Sequence, residues 1–231
     1  MFFLNNSISF PPVNEADENG LLAVGGDLST ERLLIAYRNG IFPWFNENEP
    51  LLWWCPDPRF VLFPEKLRIT KSMRTVLQNG KLRFTINKAF EEVIKNCKMI
   101  DRKEQDGTWI SEAVQKAYTD LHKLGYAHSA EAWFEGKLVG GLYGIRLGNV
   151  FFGESMFSTI SNASKFAFIN YVLQLQKEKV ALIDCQIHTD HLESLGAEMI
   201  RRESFISLLN KHILKALSPI IGLDIIFQTL V

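Results

Sequence analysis

The strongest constraint on the fold is a run of three strand-like segments joined by very short turns. The segments are SAEAWF at 129–134, KLVGGLYGIRL at 137–147 and NVFFGE at 149–154, and the turns between them are EG and GN. Turns this short join neighbouring antiparallel strands, whereas a parallel connection needs a dozen or more residues. The run therefore predicts an antiparallel meander.

A helix and another apolar strand follow the meander. Residues 162–178 have helical periodicity and start at Asn162, a favoured capping residue, and VALIDCQI at 180–187 is a compact apolar strand. This order suits an open mixed sheet in which two central strands splay and leave a ligand cleft. It is the order seen in the N-acetyltransferase (GNAT) superfold, although a fold alone does not give a function.

The first 60 residues have a different character, because turn formers and aromatic residues dominate them. One helix is clear, from Ser29 to about Asn39, and Pro56 and Pro58 then interrupt the pattern. We expect a small N-terminal domain at 1–62 and a larger domain at 63–231, together of the α+β class. Further predicted elements are a strand at 82–86, a helix capped by Asn87 that runs to about Cys97, helices at 110–124, 191–196 and 204–216, and a strand at 199–202.

The distribution of charge singles out one segment. The net charge of −1 argues against simple non-specific binding of nucleic acid. Residues 66–103, however, hold eleven basic and three acidic side chains, which makes them a candidate surface for phosphate contacts. The alternative is a solvated face with no partner. The candidate contacts are Lys66, Arg68, Lys71, Arg74, Lys81, Arg83 and Lys88.

Two short segments carry candidate chemistry at strand ends. In LIDCQIH, Asp184 and Gln186 share one face of the strand and Ile183 points to the other. A carboxylate and an amide on an apolar strand are costly unless they are used or satisfied, so the alternative is a structural hydrogen-bonded pair. In GESMFS, Glu154 stands beside Met156 and resembles the polar anchor of a ligand pocket, or else a solvated loop residue.

The aromatic loops FPWF, WW and GTWI place four of the five tryptophans in turn-rich segments. A tryptophan in a loop either packs in a core or domain interface or stacks on a nucleic-acid base. Packing is the commoner fate of any one of them. Aromatic loops together with a basic segment are nevertheless what recognition of a single-stranded nucleic-acid end needs.

Several patterns are absent from the sequence. There is no glycine-rich phosphate loop, and no loop of the kind with which acetyltransferases hold the coenzyme A pyrophosphate, which indicates a different acyl donor. The three widely spaced cysteines suggest reduced thiols, and no metal-ligand pattern accompanies His188 and His191. With no signal-peptide pattern and no long apolar run, we expect a cytoplasmic protein without a metal, a cofactor or a membrane contact.

At this point the residues match a known family. The chain resembles leucyl/phenylalanyl-tRNA–protein transferases in blocks that keep the same order from residue 19 to about 205, a combination too specific to arise by chance. The blocks are NGLLAVGGDLS (19–29), RNGIFPWF (38–45), LLWWCPDPR (51–59), DGTWI (106–110), LVGGLYG (138–144), FFGESMFS (151–158), NASK (162–165) and LIDCQ…H…SLGA (182–197).

The resemblance implies a small N-terminal domain joined to a GNAT-like catalytic domain. It implies transfer of Leu, Phe and, less efficiently, Met from aminoacyl-tRNA to the N-terminal amine of proteins that begin with Arg or Lys. The added residue marks the protein for degradation by the N-degron (N-end rule) pathway. The implied partners are aminoacyl-tRNA and these acceptor proteins, and we expect a monomer.

The resemblance also implies roles for individual residues. Trp44 and Trp109 embrace the 3′-terminal adenosine, with Glu154 as a polar anchor, and Asp184 and Gln186 form the catalytic pair. The pocket for the aminoacyl side chain is lined by Leu142, Phe151, Met156, Phe168, Tyr171 and Ile183. Leu142, Phe168 and Tyr171 depart from the usual residues of the family, which affects the shape of the pocket.

The expected mechanism is direct aminolysis, because the donor is already an activated ester and no nucleophilic side chain is required. Asp184 holds the amine, directly or through Gln186, and favours loss of its proton. Gln186 orients groups or donates to the oxyanion, since a neutral amide is not a base. Two other functions stay open at this point, a coenzyme A-dependent acetyltransferase and a non-catalytic module that binds tRNA or degrons.

Overall fold

Two β-sheets organise the chain in the computed structural model, which describes residues 2–46, 49–99 and 110–213. The strands are β1 (Phe2–Leu4), β2 (Leu21–Gly25), β3 (Phe42–Pro43), β4 (Leu52–Trp54), β5 (Arg59–Leu62), β6 (Arg83–Ile86), β7 (Ala127–Phe134), β8 (Lys137–Leu147), β9 (Val150–Ser158), β10 (Leu182–Gln186) and β11 (Glu198–Ile200). The helices are α1 (Thr30–Arg38), α2 (Lys71–Gln78), α3 (Phe90–Met99), α4 (Glu112–Lys123), α5 (Ala163–Lys177), α6 (Asp190–Ser194) and α7 (Arg202–Ile213).

The larger sheet has seven strands in the order β11-β5-β10-β9-β8-β7-β6. Strands β7 to β9 form an antiparallel meander, β6 pairs antiparallel with β7, and β10 returns through α5 to lie parallel to β9. The predicted meander, helix and parallel strand of a GNAT-like mixed sheet, and the α+β class, are therefore confirmed. The smaller sheet has the order β1-β2-β4-β3.

The two parallel strands separate after a short paired stretch. Their last paired residues are Asp184 on β10 and Phe152 on β9, whereas β9 continues along β8 as far as Ser158. Beyond Asp184 the space beside β9 is therefore open. This is the cleft that the order of elements predicts.

The large sheet is covered on both faces, each by its own hydrophobic cluster. Helices α1, α3, α4 and α7 and the smaller sheet contribute to one cluster, and α2 and α5 contribute to the other. Phe152 belongs to the first cluster and its neighbour Phe151 to the second, as the alternation of a strand requires. Both rings are almost fully buried, which stabilises the fold by about 1.5–3 kcal/mol each.

Two predicted helix caps make no capping side-chain bond among the described residues, although both helices exist and Asn162 does occupy the N-cap position of its helix. Asn87 does not cap α3, because its side-chain oxygen accepts from the backbone of Ser129, while the Glu131 carboxylate accepts from the amides of Lys88 and Ala89. Asn162 precedes α5 in a left-handed conformation (φ 68°) without a capping side-chain bond. By contrast, Ser29 caps α1 through the amide of Arg32.

The N-terminal and C-terminal parts of the chain share strands near the predicted boundary. β5, which lies within the predicted domain 1–62, pairs with β10 and β11 of the large sheet. The division at residue 62 stays a prediction. Helix α7 starts at Arg202, two residues before the predicted helix, and the predicted end at 216 lies outside the described residues.

None of the helices in the described ranges has both the length and the apolar character that a membrane span requires.

Candidate active site

A cavity of about 570 Å³ occupies the gap between β9 and β10. One part of its wall is apolar, and the other part contains the hydroxyl, carboxylate and amide groups of the two strand ends. The apolar part includes Phe42, Leu142, Met156, Phe168 and Ile183, and the polar part includes Tyr143, Glu154, Asp184, Gln186 and Thr189.

The two parts correspond to the two faces of the sheet. Leu142, Phe168 and Ile183 belong to the cluster formed with α5, and Tyr143 belongs to the cluster on the opposite face. Because β9 and β10 have separated, the cavity passes between the faces and exposes both kinds of wall to one ligand. An apolar group and a reactive polar group of the same molecule therefore fit side by side.

The polar side chains are presented by two β-bulges. Tyr143 on β8 pairs with Ser155 and Gly144 pairs with Gly153, so Glu154 is the extra residue of β9. A Cβ atom at Gly144 would overlap the carbonyl oxygen of Phe152, so this close approach requires glycine. Bulges turn side chains away from the regular alternation, and they are frequent beside active sites.

The second bulge lies on β10, where Asp184 pairs with Val61 and Gln186 pairs with Phe60, leaving Cys185 as the extra residue. Gln186 has a φ of 64°, a left-handed conformation that is unusual outside glycine. Such strain persists only where surrounding bonds hold the residue, and it concentrates at functional sites. Here the backbone nitrogen of Gln186 donates to Asp184 Oδ1 at 3.0 Å.

Asp184 is held by a buried ion pair with Arg59. Arg59 Nε donates to Asp184 Oδ1 at 2.8 Å and Nη2 donates to Oδ2 at 2.7 Å, and neither side chain has any exposed surface. The guanidinium lies between the rings of Phe42 and Phe205, 4.7 Å and 4.6 Å from their centroids. The pair thus ties β5, β10, β3 and α7 together at the floor of the cavity.

Glu154 is the centre of a second polar network. Its Oε1 accepts from Tyr37 at 2.8 Å and from Gln186 Nε2 at 3.0 Å, and its Oε2 accepts from Tyr118 at 2.9 Å. The hydroxyls of Tyr37 and Tyr118 also contact each other. Burial raises the pKa of Glu154 to about 7, against the lowering effect of the tyrosine and glutamine hydrogen bonds.

The structure brings eight of the eleven residues predicted for catalysis, adenosine binding and the aminoacyl pocket to the cavity. The residues at its wall are Trp44, Leu142, Glu154, Met156, Phe168, Ile183, Asp184 and Gln186. Phe151 and Tyr171 lie behind this wall, where they are buried and pack edge to face with centroids 5.0 Å apart. Trp109 lies outside the described residues. The roles assigned to all of these residues stay predictions.

The seven basic candidates are all solvent-exposed, and they occupy three neighbouring parts of the chain. They lie in and after the 3₁₀ turn Pro64–Lys66, on α2, and on or beside β6. All three elements pack against α5, whose residues Ser164 and Phe168 line the cavity. Lys66 also forms an exposed ion pair with Glu198. The basic surface therefore adjoins the cavity through one helix.

Three side chains of these networks were not singled out by the sequence. Tyr37 lies within the predicted helix from Ser29 to about Asn39, Tyr118 within the predicted helix at 110–124, and Arg59 at the end of the block LLWWCPDPR. Arg59 meets Asp184 across 125 positions of the chain, so no local pattern connects them. The one available signal is a single arginine before the apolar run FVLF, because a charge in such a strand needs a partner.

A group with metal-ligand side chains lies at the rim of the cavity. His188, Asp190 and Glu193 place one ligand atom each within 4.8 Å of one another, and all three are exposed. Exposed acidic groups commonly lie this close without an ion. The expectation of no metal site stays a prediction.

Comparison with known proteins identifies the family. The family model described as leucyl/phenylalanyl-tRNA protein transferase matches residues 61–210, and the model of the N-terminal domain of this transferase matches residues 26–57. The chain belongs to the leucyl/phenylalanyl-tRNA–protein transferase family. It is thus an aminoacyltransferase whose substrates are an aminoacyl-tRNA and a protein, and the family resemblance is confirmed over the coenzyme A alternative.

Relatives named leucyl/phenylalanyl-tRNA–protein transferase match over most of their length. The protein from Flavobacterium johnsoniae is 58% identical over 209 residues, which cover 90% of this chain and 99% of that protein. The protein from Christiangramia forsetii is 57% identical over 211 residues, covering 90% and 100%. The transferase from Pseudomonas fluorescens is 52% identical over 210 residues, covering 90% and 92%.

Solved structures with a similar arrangement are more distant. A GCN5-related N-acetyltransferase-like protein from Streptococcus suis has a TM-score of 0.37 and 11% identity, covering 70% of this chain and 60% of that chain. A GCN5-related N-acetyltransferase from Kribbella flavida has a TM-score of 0.33 and 10% identity, covering 71% and 58%.

Proposed function

We propose that this transferase moves Leu, Phe and, less efficiently, Met from tRNA to the N-terminal amine of proteins that begin with Arg or Lys, and so marks them for degradation. The observation that carries the proposal is the cavity between β9 and β10, which joins an apolar wall to a polar network. An aminoacyl ester has both parts, a bulky apolar side chain and a reacting carbonyl group beside it.

The apolar wall suits side chains the size of Leu, Phe and Met. Leu142, Met156, Phe168 and Ile183 supply it without a polar group of their own. A missing methylene in such a pocket changes the free energy of transition-state binding by only about 1–3 kcal/mol, so some transfer of Met is expected. Phe151 and Tyr171, packed behind the wall, set its depth.

The adenosine and the rest of the tRNA meet separate surfaces. Trp44 lies at the cavity wall and offers a face for the terminal adenine, with Trp109 as its proposed partner and Glu154 as a polar anchor. The exposed basic side chains along α2, β6 and the 3₁₀ turn at 64–66 contact the phosphates of the tRNA. These contacts carry no sequence information, which suits an enzyme that accepts several tRNAs.

The catalytic pair acts from the polar wall. Both oxygens of Asp184 accept from Arg59, so Asp184 acts on the incoming amine through Gln186, whose backbone it holds at the bulge. Gln186 positions the reacting groups with its side-chain amide. Direct attack of the α-amine on the ester carbonyl then needs no covalent enzyme intermediate.

We propose further that the protein is a monomer and that it works in the cytoplasm, and the three widely spaced cysteines support the cytoplasmic location. The deciding assay mixes purified protein with labelled Leu-tRNA and peptides that begin with Arg, Lys or Ala. Extension of the Arg and Lys peptides, with little extension of the Ala peptide, is the expected result. Equal extension of all three would remove the proposed acceptor preference, and light scattering measures the oligomeric state.

A further inference from the structure

Asp184 is not available to take a proton from a substrate. Arg59 occupies both of its oxygens, the Gln186 backbone adds a third hydrogen bond, and the side chain has no exposed surface. An incoming amine would have to replace a buried guanidinium to reach it. A protein group that accepts the proton would therefore have to be another side chain of the polar wall.

Among the residues that the structure describes, Glu154 is the other carboxylate at the cavity wall. It stands at the bulge of β9, on the open side of the cleft, and no basic side chain forms an ion pair with it among the described residues. Its three hydrogen bonds come from two phenols and one amide, all neutral donors. Neutral donors orient a carboxylate while leaving it able to gain a proton.

The surroundings of Glu154 allow it to exist in both protonation states. Three oxygen–oxygen contacts join Glu154, Tyr37 and Tyr118 in a closed ring. Each contact needs one proton to be a hydrogen bond, so three protons complete the ring. The two phenols supply two protons when Glu154 is ionised, and a protonated Glu154 supplies the third. The ionised form keeps its bonds from the phenols and from Gln186, so each form is satisfied in its own way.

We propose that Glu154 accepts the proton released by the attacking α-amine and delivers it to the leaving 3′-oxygen of the tRNA. The neutral amine forms the C–N bond to the ester carbonyl, and the nitrogen gives one proton to the Glu154 carboxylate. The C–O bond then breaks, and the 3′-oxygen takes this proton, which returns Glu154 to its ionised form. This assignment rests on the proposed transfer to an N-terminal amine.

The titratable groups around Glu154 are consistent with this role. Tyr37 from α1 and Tyr118 from α4 have pKa values well above 10, because of burial and the nearby Glu154 charge, so both remain donors. Burial raises the pKa of Glu154 to about 7, and the charge of Asp184 on β10 contributes to this rise, while Arg59 on β5 pairs with that charge. Other buried titratable side chains lie on elements that contact β9. They are Tyr143 on β8, Cys97 on α3 and Tyr171 on α5.

The test is a pH profile of kcat/KM with leucyl-adenosine as donor and a peptide that begins with Arg as acceptor. The reaction requires both a neutral amine and an ionised Glu154. A plot of log kcat/KM against pH for wild type therefore has a positive slope of about two below pH ~6.5. Glu154→Gln lowers the rate about 10²–10⁴-fold and leaves a slope of about one. The control Glu112→Gln, on the exposed first turn of α4, keeps a slope of about two.

A second variant tests the proposal without changing the carboxylate. Tyr37→Phe removes one hydrogen bond that stabilises ionised Glu154, so the acidic limb of the profile moves to higher pH. An unchanged slope in Glu154→Gln, with only weaker binding of leucyl-adenosine by calorimetry, overturns the proposal and leaves Glu154 as an adenosine anchor. An unmoved acidic limb in Tyr37→Phe overturns it as well. Absence of any peptide extension by wild type would instead refute the proposed function.

Discussion

Removing one partner of the Arg59–Asp184 pair should destabilise the fold strongly, and removing both should not. The two side chains have no exposed surface and share two hydrogen bonds of 2.8 and 2.7 Å. Arg59→Met leaves a buried carboxylate without its cation, and Asp184→Asn leaves a buried cation without its anion. Each single change is expected to lower the free energy of unfolding by about 3–5 kcal/mol.

The double variant separates the interaction from the burial of the two groups. Arg59→Met with Asp184→Asn leaves no unpaired charge, and the methionine keeps apolar contact with Phe42 and Phe205. We therefore expect a combined loss well below the sum of the single losses, with a coupling free energy of about 3 kcal/mol. The asparagine oxygen can still accept from the Gln186 backbone, so the bulge is retained.

The measurement is urea unfolding of wild type, both single variants and the double variant, with equal m values required for the comparison. The exposed pair Lys66–Glu198 is the matched control, because its side chains are 51% and 41% exposed. Lys66→Met with Glu198→Gln should show a coupling of about 0–1 kcal/mol. Additive losses at Arg59 and Asp184 would refute the inference that the pair is a single buried unit.

Three further predictions concern the substrate surfaces and pH. Lys71→Glu with Arg74→Glu should weaken the binding of whole tRNA and make this binding depend less on salt. Calorimetry should show an unchanged affinity for leucyl-adenosine. An equal loss of the two affinities would contradict the role of these residues in phosphate contacts. Gln186→Ala should lower kcat for transfer with little change in leucyl-adenosine affinity, and a parallel loss of the two would reject its role in the reaction. Burial raises the pKa of Glu154 in the folded state to about 7, so the contribution of Glu154 to folding stability is present below pH 4.5 and decreases, by at most about 3 kcal/mol, as pH rises through 7. Urea unfolding at a series of pH values should show this decrease in wild type and not in Glu154→Gln. An equal dependence of the unfolding free energy on pH in the two proteins would exclude it.

The meander and the cleft were predictable because they depend on local patterns. Two-residue turns between apolar alternating segments require antiparallel neighbours, and the long helix α5 before β10 provides the crossover that a parallel return needs. Strand β5 was not predictable in this way. It lies inside the sheet, between β10 and the edge strand β11, yet its four residues follow a turn-rich segment, and its partners are more than 120 residues further along the chain.

The wrong cap at Asn87 has the same origin. Local preference favours asparagine before a helix, but the Glu131 carboxylate on strand β7 accepts from the amides of Lys88 and Ala89, the two residues just before α3. A charged carboxylate at a helix N-terminus is a stronger acceptor than an amide oxygen. The Asn87 side chain is then free to bind the backbone of Ser129, which holds the loop against β7.

The geometry of the site depends on two inserted residues rather than on the choice of residue types. Alternation along β10 correctly puts Asp184 opposite to Ile183, but it does not indicate that the backbone turns left-handed at Gln186 and brings its amide to Glu154. On β9, the bulge at Glu154 likewise departs from regular pairing with β8. Each bulge lies where its strand borders the cleft, so the separation of the strands and the meeting of their polar side chains have one cause. A deletion of Cys185 that restores regular pairing with β5 should therefore abolish transfer while Asp184 keeps its bonds to Arg59, a result measurable by activity together with urea unfolding. Retained activity in that deletion variant would mean that the bulge is not what assembles the site.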